Sequence, residues 1–168
     1  MGRRVVQNKS WYERLRINGQ VEGAMEPVII YTDGACKGNP GVGGWGVYLT
    51  WKEHSKEICG GKKRTTNNQM ELTAVIEALK AIKRKAYLVI HTDSKYVHNG
   101  ITKWIHMWRK NGWRTSTHKP IKNIELWQEL SRLVDLYDIE WHWVKGHANI
   151  EGNEKADKLA NKGCLKAV

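Results

Sequence analysis

Hydrophobic positions along the chain fall into short runs of strand length and longer stretches with helical spacing. Residues 28–31 form a β-branched and aromatic run that follows Pro27 and ends at Asp33 and Gly34, which predicts a buried strand followed by a turn. Residues 45–51 and a run that starts at Glu57 predict two more strands. Because short turns separate these three strands, we expect an antiparallel meander.

A mainly apolar helix is predicted after the meander. Thr66 and Gln69 have the spacing of a capping box, and apolar residues from Met70 to Ile82 cover most of the helix circumference. The later elements are predicted as a strand, a short helix, an amphipathic helix, a strand and a final helix, at residues 86–92, 94–100, 124–136, 139–144 and 153–162.

The order of these elements indicates an α/β fold. A helix between two strands implies a crossover and parallel pairing, so we expect a mixed sheet with the meander at one side and helices packed over it. The 168 residues suffice for one domain. We divide them into an amino-terminal extension (1–26) that we expect to be partly disordered, a main domain (27–164) and a tail (165–168).

The composition limits the kinds of binding partner and the cellular compartment that we expect for this chain. The chain has 28 Lys and Arg residues against 17 Asp and Glu, a formal charge of +11, which favours a polyanion such as nucleic acid or an anionic membrane, although a merely basic soluble protein has the same signature. Three widely spaced cysteines argue against a zinc site or a disulfide framework and fit a reducing compartment. No apolar stretch approaches the roughly 18 residues of a membrane span, and we expect no secretory signal.

Carboxylates stand at several element ends. Asp33 follows the first strand, Glu71 is placed in the first turn of the apolar helix, Asp93 follows the fourth strand and Asp157 lies in the final helix. Ligand sites gather at the carboxyl ends of parallel strands, and grouped carboxylates need a matching cation. Mg²⁺ suits such oxygen ligands, and in a basic protein the pattern indicates phosphodiester chemistry with two metal ions.

Each of these acids also has an ordinary structural interpretation. An Asp before a Gly is commonly a turn residue, and a Glu early in a helix is favoured by the helix dipole. Asp93 with Ser94 can cap the next helix, and Asp157 can pair with a neighbouring Lys. The pattern of acids alone leaves the metal site and the structural interpretation open.

Longer segments carry a family resemblance. They are YTDGACKGNPGVGGWG, RTTNNQMEL, HTDSKYV, GITKWIHMWRKNGWRT and WVKGHANIEGNEKADKLA. In sequence, order and spacing they resemble the successive motifs of type 1 ribonucleases H, from about Pro27 to Gly163. The TDG motif is weak by itself, whereas the combined set is highly specific.

The resemblance implies a fold, an activity and a cofactor. The fold is the ribonuclease H-like α/β fold, a five-stranded mixed sheet with helices on both faces. The activity is endonucleolytic hydrolysis of the RNA strand of RNA–DNA hybrids by two-metal-ion catalysis, with Mg²⁺ or alternatively Mn²⁺, giving 5′-phosphate and 3′-hydroxyl ends. We therefore expect a cytoplasmic monomer whose partner is the hybrid and not a membrane.

The resemblance also assigns the catalytic residues. The family's four metal-binding carboxylates correspond to Asp33, Glu71, Asp93 and Asp157. Its mobile catalytic histidine corresponds to His147, in the segment KGHANIEGN. A loop histidine between small residues can move and titrates near neutral pH, so it can carry a proton.

Substrate contacts follow from the same resemblance. Those near the first strand and the apolar helix are Cys36, Asn39, Thr66, Asn67 and Asn68, with Lys95 where many relatives carry an amide. Amide groups suit the wide minor groove of a hybrid, and Thr66 is expected near a DNA phosphate. Residues 103–122 match a basic protrusion that grips the DNA strand, with contacts from Trp104, Trp108, Arg109, Lys110 and Trp113. These tryptophans could instead pack the helices together, and we expect both roles.

The sequence leaves two other functions to be considered, a hybrid-binding module without catalytic activity and a DNA-cutting enzyme. A non-catalytic hybrid-binding module on the same fold would not need the four acids and the histidine. A DNA-cutting relative such as an integrase or resolvase is disfavoured by the amide cluster and the basic protrusion. The glycine-rich residues 38–46 lack the G-K-[ST] ending of a phosphate-binding loop, so we interpret them as a hairpin connection.

Overall fold

The structure, a computed structural model, describes residues 5–6 and 26–168. The predicted extension at residues 1–26 therefore lies outside the described residues, apart from a two-residue strand, β1 (Val5–Val6), and Glu26. The predictions made for that extension stay predictions.

Six strands form one mixed sheet. After β1 come β2 (Val28–Lys37), β3 (Gly41–Trp51), β4 (His54–Thr65), β5 (Tyr87–Thr92) and β6 (Asp138–Trp143). Their spatial order is β1-β6-β5-β2-β3-β4. β2, β3 and β4 make the antiparallel meander, and β5 and β6 run parallel to β2. The predicted five-stranded mixed sheet is confirmed, and β1 adds a short antiparallel strand beside β6.

Within residues 26–168, five helices accompany the sheet. They are α1 (Asn67–Ala81), α2 (Lys95–Asn99), α3 (Ile105–Lys110), α4 (Ile124–Val134) and α5 (Glu151–Lys166), and a π-helical segment, Gly100–Trp104, joins α2 to α3. α1 packs on β2 and β3, α4 packs on α1, and α5 packs on β2, β3 and β4. Every helix among the described residues is too short or too polar to cross a bilayer.

The main core lies between the sheet and α1. Ile30, Ile90 and Trp141 are register partners on three neighbouring parallel strands, so they point to the same face, and all three are fully buried. Leu72 from α1 and Trp127 from α4 complete this core. Within the apolar run 28–31 of β2, Val28 and Ile30 are buried, whereas Ile29 and Tyr31 are half-buried on the other face.

The start of α1 is fixed as the sequence predicts. The Thr66 hydroxyl accepts a hydrogen bond from the backbone N–H of Gln69 at 3.3 Å, as an N-cap residue does. The Gln69 side chain does not complete a capping box, because its amide group bonds the hydroxyl of Thr65 and the side chain of Asn123. α1 is therefore tied to β4 and to the segment before α4.

Several predicted boundaries are wrong. The first strand continues through Asp33 to Lys37, and β3 begins at Gly41, so most of residues 38–46 are strand and only the tip is a turn. β4 begins at His54, three residues before the predicted start at Glu57. α5 ends at Lys166 and so includes two residues of the predicted tail. The glycines that suggested a turn lie within the ladder, where they allow helices to approach.

Two glycines let helices rest directly on opposite faces of the sheet. A Cβ added at Gly34 would lie 2.6 Å from the carbonyl carbon of Met70 and 3.0 Å from the Cα of Glu71, both in α1. On the other face, a Cβ added at Gly46 would lie 2.5 Å from the carbonyl oxygen of Ala156 in α5. Gly46 pairs with Asp33 in the β2–β3 ladder, so both helices approach the sheet at the level of Asp33.

We expect Gly34→Ala to destabilise the fold, because the new methyl group would push α1 away from β2. The expected loss in the free energy of unfolding is about 1–3 kcal/mol, the usual cost of overpacking, measured by urea titration. Gly112→Ala is the control, since Gly112 has a φ of +65° and open space around it and should lose only about 1 kcal/mol. Equal stability of Gly34→Ala and the parent chain would contradict the close approach.

Candidate active site

The parallel ladder brings two aspartates together. Its last pair of residues on β2 and β5 is Thr32 with Thr92, so Asp33 and Asp93 are the next residues on adjacent parallel strands. Asp33 is 5% exposed and Asp93 is half-buried. Two carboxyl groups are therefore held side by side where the parallel pairing ends.

Glu71 reaches the same point from α1. It is the fifth residue of α1 and lies beyond the first turn, which corrects the sequence prediction that placed it in that turn. The close approach over Gly34 sets Glu71 against the sheet, where it is 4% exposed. One carboxylate oxygen from each of Asp33, Glu71 and Asp93 lies within 4.8 Å of the other two.

Asp157 approaches from the opposite face. It is half-buried on α5, and its carboxyl group interacts with Asp33 and Asp93. It is not part of the group of three that shares the 4.8 Å spacing. The structure thus places all four predicted carboxylates around one point, with three in close contact and the fourth beside them.

Burial and mutual repulsion make ionisation of this cluster difficult. Burial, followed by the charge of Asp93, raises the pKa of Asp33 to about 8. Burial and the charge of Asp33 raise the pKa of Glu71 well above its usual value, and burial raises the pKa of Asp93. The cluster therefore needs a positive charge if all its members are to be ionised at neutral pH.

The residues present fit a hard divalent cation. The Oε2 atom of Glu71 is buried and has no hydrogen-bond partner among the described residues. An unpaired buried carboxylate oxygen is costly in a protein interior. Closely spaced carboxylate oxygens without sulfur or imidazole are the donor set that Mg²⁺, Ca²⁺ and Mn²⁺ prefer.

The loop that carries His147 begins beside Asp93. The backbone N–H of Val144 donates to the carbonyl oxygen of Thr92 at 2.9 Å, and the indole N–H of Trp143 donates to the carbonyl oxygen of Asp93 at 3.0 Å. His147 is exposed and has a φ of 56°. Within the part of the chain that the structure describes, no hydrogen bond or ion pair holds its imidazole, so the ring is free to approach a substrate.

The predicted amide contacts gather at the start of α1. The Oδ1 atom of Asn39 accepts a hydrogen bond from the backbone N–H of Asn67 at 3.1 Å, and the side chain of Asn68 is exposed next to them. The Cys36 thiol donates to the carbonyl oxygens of Gly38 at 3.0 Å and of Thr65 at 3.3 Å. These contacts and the cap at Thr66 bring the turn after β2, the end of β4 and the start of α1 together near Glu71.

The ammonium group of Lys95 packs against an aromatic ring near the carboxylates. Its ammonium group lies 5.2 Å from the centre of the Trp143 ring. Trp143 also bonds the backbone of Asp93, so Lys95 stands close to the carboxylate cluster. A cation there can meet a phosphate of a bound nucleic acid.

The tryptophans of residues 103–122 pack against one another and against α4, and their contact with the DNA strand stays a prediction. The rings of Trp104 and Trp108 lie 6.3 and 5.4 Å from the buried ring of Trp127, and Trp113 lies 6.1 Å from Trp108. All three remain partly exposed. Trp104 and Trp108 line a surface groove of about 360 Å³ together with the exposed Met107.

Arg109 does not point toward this groove. Its guanidinium group donates to the hydroxyl of Ser131 at 2.7 Å and forms an ion pair with Asp135 at 3.1 Å, both near the end of α4. Its side chain therefore fastens α3 to α4, and a substrate contact by Arg109 stays a prediction. Lys110 is exposed and engages no ion pair among the described residues.

Asn153 was missed by the sequence analysis. It is 3% exposed on α5, and its side chain hydrogen-bonds the Asp93 carboxyl group, a contact that lowers the pKa of Asp93. Its Oδ1 atom is buried and has no partner among the described residues. The available signal was its spacing of four residues from Asp157, which places both on one face of a helix.

Comparisons with known proteins agree with this geometry. The sequence model of the RNase H family matches residues 25–165. A ribonuclease H from Neisseria meningitidis is 58% identical over 140 residues, which cover 83% of this chain and 97% of that protein.

Two solved structures share the fold. LC9-RNase H1, a type 1 RNase H with the type 2 active-site motif, has a TM-score of 0.78 and 34% identity, covering 86% of this chain and 75% of its own. LC11-RNase H1 in complex with an RNA/DNA hybrid has a TM-score of 0.58 and 25% identity, covering 83% of this chain and 98% of its own. With a carboxylate cluster at the end of its parallel ladder and a family match over most of its length, the chain belongs to the RNase H family.

Proposed function

We propose that this ribonuclease H hydrolyses the RNA strand of RNA–DNA hybrids at the cluster formed by Asp33, Glu71, Asp93 and Asp157. The observation that carries the proposal is the set of three carboxylate oxygens within 4.8 Å of one another, from two buried residues and the half-buried Asp93, in a chain of this family. The products are a 5′-phosphate and a 3′-hydroxyl end.

Two divalent cations, Mg²⁺ in the cell, are the proposed cofactors. Asp33, Glu71 and Asp93 would hold one of them, and Asp157, which interacts with Asp33, would help to hold the second. When bound, the cations activate the attacking water and stabilise the leaving oxygen. The raised pKa values of the buried acids support this assignment, because positive charge at the cluster would offset the repulsion.

His147 is the proposed proton carrier. Its exposed imidazole follows Gly146, whose backbone lies so close to Asp93 that an added Cβ would be 3.2 Å from the Oδ2 atom. A short movement of this loop would bring the ring to the reacting phosphate, where it can take up or release a proton. Asn153 steadies Asp93 from the side of α5.

Two surfaces flank the cluster and are proposed to hold the hybrid. One surface lies at the start of α1 and suits contacts in the minor groove. It is formed by Cys36, Asn39, Thr66, Asn67 and Asn68. Lys95, Trp104, Trp108, Lys110 and Trp113 offer cations and ring edges to the DNA strand. The hybrid bound by the structural neighbour LC11-RNase H1 supports this choice of partner.

We further propose that residues 27–164 act as a monomeric catalytic domain in the cytoplasm. The family match to residues 25–165 supports the domain bounds. Cys36, Cys59 and Cys164 are free thiols, as expected of a protein in a reducing compartment.

A catalytic role is favoured over a non-catalytic hybrid-binding module. Burying several carboxylates against one another lowers the stability of the fold, and a pure binding protein gains nothing from that arrangement. The exposed imidazole of His147 beside the cluster likewise has no evident use in binding alone.

The parent chain should cut the RNA strand of a hybrid with Mg²⁺ present and stop when EDTA is added. Asp33→Asn and Asp93→Asn should each lower the cleavage rate by at least about 10³-fold, because the cations lose an essential ligand. Hybrid binding, measured by fluorescence anisotropy, should survive. Asp138→Asn, at the other end of the sheet, is the control and should keep full activity. Full activity in either cluster variant, or cleavage of duplex DNA instead, would refute the assignment.

We expect His147→Ala to lower kcat by about 10²-fold and to leave residual cleavage, because proton transfer would then depend on water. KM and the affinity for Mn²⁺, measured by calorimetry, should change little. His54→Ala removes an exposed histidine at the β3–β4 hairpin and serves as the control. Loss of Mn²⁺ binding in His147→Ala would show that the histidine is a ligand and not a proton carrier.

Without divalent cations the fold should lose stability as the pH rises from about 4 to about 8. The folded chain keeps a proton on Asp33 up to a pKa of about 8, whereas the unfolded chain releases it near 3.8. Each retained proton contributes a slope of at most about 1.4 kcal/mol per pH unit in the free energy of unfolding. Urea titrations in EDTA should show a shallower slope for Asp33→Asn, and added Mg²⁺ should stabilise the parent chain most at high pH. A pH-independent stability in EDTA would contradict the clustering.

A further inference from the structure

A row of ring side chains crosses the face of the sheet on which α5 packs. Tyr31 of β2 pairs with Tyr48 of β3 and with His91 of β5. His91 pairs in turn with His142 of β6. Because side chains alternate between the two faces along a strand, Tyr31 shares its face with Asp33, two residues further on. The row therefore lies about 7 Å along the strands from the carboxylate cluster.

Three of these side chains, Tyr31, His91 and His142, form a ring stack. The ring centres of Tyr31 and His91 are 4.4 Å apart, with an angle of 11° between the planes. Those of His91 and His142 are 5.1 Å apart at 18°. The Nε2 atom of His142 lies 3.2 Å from the Oε1 atom of Glu140, whose other oxygen accepts a hydrogen bond from the hydroxyl of Tyr87. Polar contacts thus fix the outer end of the stack.

Gly152, in the first turn of α5, closes the inner end of the ring stack. A Cβ added at Gly152 would have three adjacent atoms of the Tyr31 ring as its nearest neighbours, Cε2, Cδ2 and Cζ, the last at 2.6 Å. Adjacent ring atoms come almost equally near only above the face of a ring. Since His91 covers one face of Tyr31, Gly152 covers the other, and the tyrosine ring is held between α5 and the imidazole.

The first turn of α5 carries groups that belong to the candidate active site. Asn153 follows Gly152 directly and hydrogen-bonds the carboxyl group of Asp93. Asp157 lies one turn further along the same helix. α5 itself packs on β2, β3 and β4, whereas Asp93 follows β5. The ring stack carries the support of α5 across to β5 and so links the height of this turn to the strand that ends at Asp93.

We propose that the ring stack positions the active site. It holds Gly152, and with it the first turn of α5, at the height at which Asn153 bonds Asp93. The assignment rests on the proposed function, in which Asp93 and Asp157 are metal ligands. A group that orients a metal ligand affects metal affinity and turnover, and displacements of about 1 Å are enough to slow a reaction on the order of 10²-fold. The ring stack therefore acts on kcat and on cation binding, and not on the affinity for the hybrid.

Steady-state kinetics separate these effects. Tyr31→Ala removes the support of α5 and should lower kcat by about tenfold or more, with the KM for the hybrid changed by less than about twofold. Tyr31→Phe keeps the ring and should keep the kcat of the parent chain. Tyr137→Ala is the matched control, because Tyr137 is also half-buried but lies beside the start of β6, at the other end of the sheet. Thermal unfolding of each variant shows that it is folded.

The side-chain amide of Asn153 reports the position of α5 without any catalysis. In the metal-free, ¹⁵N-labelled Tyr31→Ala protein, NMR should show exchange of these amide hydrogens with water at least about tenfold faster, because the bond to Asp93 is lost. Calorimetry should show Mn²⁺ binding weakened by about tenfold. Gly152→Ala leaves the rings intact but pushes the first turn away from them, so it should give the same changes even if Tyr31→Ala fails to fold.

A double variant tests whether the ring stack acts through Asn153. Tyr31→Ala combined with Asn153→Ala should lower kcat no further than Asn153→Ala alone, because both changes break the same contact. Additive losses would overturn the proposal, as would parent-like kcat and amide exchange in Gly152→Ala or an equal loss in Tyr137→Ala. A rise in KM that accounts for the whole effect would instead make the rings part of the hybrid-binding surface.

Failure of the proposed function has a different signature. A parent chain that binds Mn²⁺ but cleaves no hybrid would refute that function, whereas the exchange of the Asn153 amide and the calorimetry would still decide the role of the ring stack. Faster exchange and weaker Mn²⁺ binding in Gly152→Ala, with parent values in Tyr31→Phe, would support it. Parent values in both variants would overturn it.

Discussion

The repulsion among Asp33, Glu71 and Asp93 is the constraint on which the rest of the molecule depends. Three carboxyl groups that are largely removed from water and lie within 4.8 Å of one another oppose folding unless protons or cations neutralise them. The fold holds them there nonetheless. Parallel register sets the two aspartates side by side, and the absence of a side chain at Gly34 lets α1 press Glu71 down beside them. The folded chain therefore needs positive charge at this point if all three carboxyl groups are to be ionised.

The same close packing arranges the proposed substrate surfaces. The start of α1 carries Asn67 and Asn68, and the turn after β2 is tied to it through Asn39 and Cys36, so the proposed contacts to the hybrid are held in place relative to Glu71. The loop before α5 leaves β6 beside Asp93 and presents His147 without fixing its ring. Rigidly held carboxylates as the proposed metal ligands, and a freely rotating imidazole as the proposed proton carrier, suit hydrolysis, in which the phosphate stays in place while protons move.

Sequence periodicity and motifs predicted the sheet, the main helices and the position of the four acids, because strand ends and helix caps are encoded locally. What they missed depends on contacts between distant segments. Glycines that resemble a turn extend β2 and β3, since their role is to admit α1 and α5. Arg109 belongs to a basic stretch in sequence, but it turns to Ser131 and Asp135. The contact of Asn153 with Asp93 becomes visible only when α5 is brought against the strands.

Anomalous diffraction from crystals equilibrated with Mn²⁺ tests the central claim most directly. The account predicts anomalous peaks at about 2.0–2.6 Å from carboxylate oxygens of Asp33, Glu71 and Asp93, with any second peak on the side of Asp157. Peaks elsewhere, or none at these acids under conditions in which the same preparation cleaves a hybrid, would contradict it.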